Sequence, residues 1–153
     1  MRIEFMDRFP EQARDLAKEI AAFASVEGGT IYLGVTDEGE PVGLEEDVGT
    51  AKGHEEMQKR VRGIVTSKVT PSVAVEIDFP RDENYDVTVV AIRVQKGSEP
   101  LYYCEGRPCI RYLDESRLAR PDEVKQIFWE YYRQYVQEML RGIGDSAVAR
   151  ARG

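Results

Sequence analysis

The sequence predicts a single α+β domain with a mixed or mostly antiparallel sheet and about three helices. Three observations carry that expectation. Apolar residues recur at helical spacing in three separate segments, strand-like stretches lie between them, and no linker of domain-separating length interrupts the order β-α-ββ-α-ββ-ββ-α. At 153 residues the chain suits one core better than two.

The first helix is read from "EQARDLAKEIAAFAS" (11–25), where Pro10 suits a first turn, Glu11 suits the positive end, and Ala13, Leu16, Ala17, Ile20 and Ala24 share helical spacing. Gly28-Gly29 stops it. "TIYLGV" (30–35) reads as a strand, "TDEGEP" (36–41) as a turn, and "VGL" as the returning strand, so 30–44 is expected to be a β-hairpin. The segment 51–69 gathers Met57, Val61, Ile64 and Val65 on one face and reads as a second helix. "VAVEIDF" (73–79) alternates as a half-exposed strand does, and "VTVVAIRV" (87–94) is apolar on nearly both faces, as a central strand should be. "PLYYC" and "CIRYL" form a shorter hairpin around "EGRP".

Pro121 opens the last helix. Its apolar positions from Val124 to Leu140 spread over roughly 220° of arc, wider than one core-facing stripe. Two readings account for the surplus: tyrosines that reach water through their hydroxyls, or a second buried surface such as a homodimer contact through helix 121–141. The domain is accordingly drawn over 1–141, with "GIGDSAVARARG" (142–153) as a flexible C-terminal tail.

Composition narrows the function. A formal net charge of −7 argues against nucleic-acid binding by bulk positive potential, so any such contact needs a local patch. No apolar run is long enough to span a bilayer and the N-terminus lacks a signal-peptide core, so no membrane partner and a cytoplasmic location are expected. Cys104 and Cys109 read as small semi-buried residues with reduced thiols, and with His54 as the single histidine a zinc site lacks ligands.

Three constellations remain. Gly28-Gly29 lies between helix and strand, the reverse of a phosphate loop, and neither G-x-x-x-x-G-K-[ST] nor G-x-G-x-x-G occurs, so a helix stop accounts for it and no cofactor is expected. Glu4 and Asp37, joined by Glu27 and Glu38, are candidate catalytic and metal-ligating carboxylates, because clustered carboxylates hold Mg²⁺ or Mn²⁺ for phosphodiester hydrolysis; solvated carboxylates are the other account. "YYCEGRPCIRYLDESRLARP" (102–121) carries Arg107, Arg111, Arg117 and Arg120 with Tyr103 and Tyr112 interleaved. Arginine forks suit phosphates and tyrosines suit stacked bases, so these six residues form the candidate nucleic-acid face for DNA or RNA; intramolecular ion pairs with Glu105, Asp114 and Glu115 are the alternative. Lys52, Lys59, Arg60, Arg62 and Lys68 of the second helix are candidates to extend it.

Residues 3–124 resemble the Schlafen AlbA-type domain, catalogued as DNA-binding in bacterial and archaeal transcriptional regulators. The resemblance rests on "EF" (4–5), "AFASVEGGTIYLGVTDEGEPVGL" (22–44) and "GSEPLYYCEGRPCIRYLDESRLARPDEV" (97–124). It implies an α+β fold and a non-enzymatic nucleic-acid-binding regulatory module. Some Schlafen members are metal-dependent ribonucleases with clustered acidic residues, which implies a nuclease alternative with Mg²⁺ or Mn²⁺ at Glu4 and Asp37. In this chain Met6 stands where the family has Lys, Ser25 where Asn is usual, and Thr36 where Asp often follows Gly-Val. A protein-interaction module that dimerises is the third alternative.

Overall fold

The structure is a computed structural model that describes residues 2–152. It divides into two compact units, Met1–Ala119 and Arg120–Gly153.

The first unit opens with β1 (Ile3–Met6), followed by α1 (Ala13–Ser25) and β2 (Gly29–Leu33). A short helix α2 (Glu45–Val48) precedes the long α3 (Ala51–Lys68). The strands β3 (Val69–Thr70), β4 (Val75–Asp78), β5 (Arg81–Asp82), β6 (Val87–Thr88) and β7 (Val90–Val94) follow. The unit closes with β8 (Tyr102–Cys104), β9 (Arg107–Tyr112) and β10 (Glu115–Leu118). One sheet has the order β1-β2-β7-β4, the second β10-β9-β8-β3, and β5-β6 is a small ribbon. Among the described residues, β1 with β2 is the one parallel pair and the other pairings are antiparallel. The α+β class expected from the periodicities is what the chain adopts.

Helix α1 explains its own alanines. Every residue from Leu16 to Ser25 except Lys18 is buried, because the helix packs on β3, β8, β9 and β10 of one sheet, on β7 of the other, and on α3. A helix covered all round needs small residues wherever a strand comes close, and Ala17, Ala21, Ala22 and Ala24 supply them, with Leu16, Ile20 and Phe23 as the bulk. Met57, Val61, Ile64 and Val65 of α3 are buried as their spacing predicts. In β4, Val75 and Ile77 face inward while Glu76 and Asp78 face out.

The two glycines after α1 do different jobs. Gly28 has φ +75° and donates its N–H to Phe23 O at 2.7 Å, closing the helix as a left-handed cap. Gly29 has no left-handed φ. A side chain there would strike the Phe23 ring and lie 2.6 Å from Arg2 O, so Gly29 is required by space rather than by φ.

The expected hairpin over 30–44 does not form. Both edges of β2 are already taken, by β1 and by β7, and residues 34–43 close instead as a loop with one isolated bridge, Val35 to Pro41. β10 adds a further strand beside the expected "PLYYC"/"CIRYL" hairpin.

The second unit is α4 (Pro121–Arg152), a single long helix. The segment drawn as a tail continues it to Arg152; Gly153 lies outside the described residues. Gly142 and Gly144 are the residues that oppose helix there, at about 1 kcal/mol each relative to alanine, and no proline follows them.

Candidate functional site

The strand register divides the predicted arginine and tyrosine cluster between two faces. In β9 the side chains alternate, with Cys109 and Arg111 toward α1 and Pro108, Ile110 and Tyr112 away from it. Tyr103 pairs with Pro108, Arg117 with Ile110, and Glu115 with Tyr112. Tyr103, Tyr112 and Arg117 therefore share the face turned away from α1. There Arg117 sits over the Tyr112 ring, 5.6 Å from its centroid, and Tyr112 is 61% exposed. Arg107 is exposed beside the Glu105-Gly106 turn at the start of β9. Arg120 belongs to the second unit, where its guanidinium meets Asp122 at 3.4 Å and Glu123 at 3.5 Å.

Arg111, expected among the phosphate contacts, is instead a buried tie inside the first unit. Its side chain is 5% exposed. One terminal nitrogen donates to Glu19 Oε2 at 3.3 Å and to Ser116 Oγ at 3.0 Å. The other donates to Glu4 Oε2 at 3.0 Å and to the carbonyls of Ile3 and Asp114, each at 3.1 Å. The guanidinium also lies 4.4 Å from the centroid of the Phe23 ring. Ser116 Oγ donates in turn to Glu19 Oε2. A fork of this kind links β1, α1 and the β9-β10 hairpin, which the planar guanidinium can do and an ammonium cannot.

The same tie corrects the carboxylate pair. Glu4 lies on the inward face of β1, opposite Ile31, and is engaged by Arg111. Asp37 lies in the exposed 36–39 turn, at a cleft shared with Asp7, Asp15 and Glu38 but not Glu4. Among the described residues, no group of three or more His, Cys, Asp or Glu side chains is placed to hold a metal ion. Cys104 and Cys109 are buried free thiols, and burial pushes Cys109 up to about 11.

The basic residues of α3 are engaged locally. Lys59 pairs with Glu55 at 3.4 Å, Arg60 lies 3.6 Å above the Phe9 ring, Arg62 donates to Val75 O at 3.2 Å, and Lys68 meets Glu105 at 2.7 Å. Lys52 is exposed and 4.0 Å from Glu56.

Sequence reasoning missed Glu19 and Ser116. The signal for Glu19 was present: it falls three residues after Leu16 and four before Phe23, on the apolar stripe itself. A carboxylate there calls for a buried partner.

Burial raises the Glu19 carboxyl above its ordinary pKa; the Glu4 carboxylate adds to the rise, while the Ser116 hydroxyl and Arg111 oppose it. The folded state therefore keeps a proton that the unfolded chain loses near an ordinary glutamate value of about 4.3. Stability contributed by that proton is complete below the unfolded pKa and is lost as pH rises through the folded one. Denaturant unfolding across pH 4 to 8 is expected to show this fall in the native sequence and a flatter profile in Glu19→Gln. Parallel profiles would mean that Glu19 titrates alike in both states.

Residues 2–120 match the profile of the family described as Schlafen, AlbA_2. No curated protein matches the chain. Among solved structures, the crystal structure of the DIP2311 protein from Corynebacterium diphtheriae is similar, with a TM-score of 0.60 and 25% identity over 86% of this chain. The match covers 27% of that protein, so this chain spans about a quarter of its length. No helix among the described residues is long and apolar enough to cross a membrane.

Proposed function

The chain belongs to the Schlafen, AlbA_2 family, and on that footing we propose that it is a non-enzymatic nucleic-acid-binding module of the transcriptional-regulator type. The observation that carries this reading is the shared face of β8, β9 and β10 turned away from α1, where Tyr103, Tyr112 and Arg117 lie together with Arg107 at the nearby turn. Tyrosine rings offer stacking surface to bases, worth roughly 1–3 kcal/mol per base, and arginines offer phosphate contacts. Arg111 has no part in binding, since its terminal nitrogens are spent on the fold. Against the nuclease alternative, Glu4 is neutralised by Arg111 and stands outside the lining of the cleft at Asp37.

The test is fluorescence anisotropy with labelled single-stranded DNA, duplex DNA and RNA at low and moderate salt, with Mn²⁺ present and the probe checked for cleavage. Salt-sensitive binding to an intact probe is expected. Tyr112→Ala should weaken it about tenfold, and Arg117→Ala should weaken it and flatten the salt slope by about one unit of log K per log salt. Absent or salt-independent binding would sink the proposal, and cleavage abolished by Glu4→Gln would replace it with the nuclease.

A further inference from the structure

From Tyr131 to Asp145, every residue of α4 is exposed. An isolated helix is marginal in water, and the apolar side chains of this stretch have no covering layer among the described residues. Those side chains are not scattered. Trp129, Tyr132, Val136, Met139 and Ile143 follow one another at intervals of 3, 4, 3 and 4 residues, which is the seam of a coiled coil. Leu140 and Tyr135 flank the seam, while Glu130, Gln134, Gln137, Glu138 and Arg141 occupy the opposite face.

We propose that this seam is a homodimer interface, in which α4 of a second copy of the chain packs antiparallel on the first. Area is the first argument. Trp129, Tyr132, Tyr135, Val136, Met139, Leu140 and Ile143 are 45–62% exposed. With aromatic side chains of about 150–250 Å² each, the stripe offers roughly 700 Å² per chain, close to the ~800 Å² per partner of a standard stable interface. Volume is the second. The seam is aromatic in its N-terminal half, at Trp129 and Tyr132, and aliphatic in its C-terminal half, at Met139 and Ile143. A parallel pair would set Trp129 against Trp129 and Ile143 against Ile143, crowding one end and leaving the other thin. An antiparallel pair sets the large half against the small half twice, and a two-fold axis near Val136 closes the assembly as a dimer. The inference is independent of nucleic-acid binding.

The full chain is expected to run in light scattering at twice its 17.4 kDa mass. Val136→Glu, which puts a charge at the centre of the seam, should return it to the single-chain mass while the thermal transition of the first unit stays in place. Spin labels at Lys125→Cys should read roughly 25–35 Å apart in the antiparallel dimer, against ~10 Å in a parallel one. The native thiols are buried, with their pKa values pushed up by burial, and label slowly. A single-chain mass for the native sequence at micromolar concentration would overturn the proposal. So would a dimer that survives Val136→Glu, and the short label distance would overturn the antiparallel arrangement.

Discussion

Arg111→Met is expected to lower stability by about 3–5 kcal/mol, the range seen when one partner of a buried ion pair is removed. In a unit of this size that is a fall in Tm of roughly 10 °C or more. Methionine fills most of the volume, so the loss comes mainly from the carboxylates left behind. Glu19 is buried and Glu4 half-buried, and among the described residues Arg111 is the cation at ion-pair distance from both. Two signatures separate this from a packing defect. The deficit should shrink in mild acid, where Glu19 takes up a proton, and Arg111→Met combined with Glu19→Gln should recover part of the loss. Chemical denaturation of the three variants at two pH values checks both, and a cost below about 0.5 kcal/mol for Arg111→Met would remove the tie from the account of the fold.

The second large effect is expected at the end of α1. Gly28→Ala should cost about 2–4 kcal/mol, because the residue sits at φ +75° and its new methyl group would meet main chain, 2.7 Å from Val94 O and 2.8 Å from Lys96 N. Gly29→Ala should also destabilise, but through the Phe23 ring and Arg2 O. The two substitutions can be told apart in combination with Phe23→Leu. Trimming the ring should relieve part of the Gly29→Ala cost and none of the Gly28→Ala cost, since backbone cannot move aside as a side chain can. Additive costs in both pairs would mean that the Phe23 ring does not limit residue 29. The sequence marks Gly28-Gly29 as one helix stop; the structure gives the left-handed φ to Gly28 and a spatial role to its neighbour.

The elements that sequence made legible are those whose periodicity is local. Met57, Val61, Ile64 and Val65 announce α3, and Val75 and Ile77 announce the inward face of β4, because side-chain spacing reports directly on the local backbone. What stayed illegible depends on partners far along the chain. The hairpin expected over 30–44 fails because β1 and β7, distant in sequence, claim both edges of β2. β10 was hidden because its turn carries Leu113 at φ +58° rather than the Asn-Gly or Asp-Gly signal of a tight hairpin. In the candidate site, composition presents the arginines and tyrosines as one group, and only register divides them. Arg111 and Tyr112 are adjacent residues, and period-two alternation sends one into the core and the other to solvent.

The arginine tie also sets a schedule for folding on the ribosome. Its partners Glu4 and Glu19 are made first, and Arg111 emerges about a hundred residues later, separated from them by 107 and 92 positions. At a synthesis rate of about 5–20 residues per second, the nascent chain waits roughly 5–20 s for its cation. During that interval the carboxylates of β1 and α1 have water as their only good solvent, so the face of α1 that carries Glu19 stays open until the last hairpin arrives to close it.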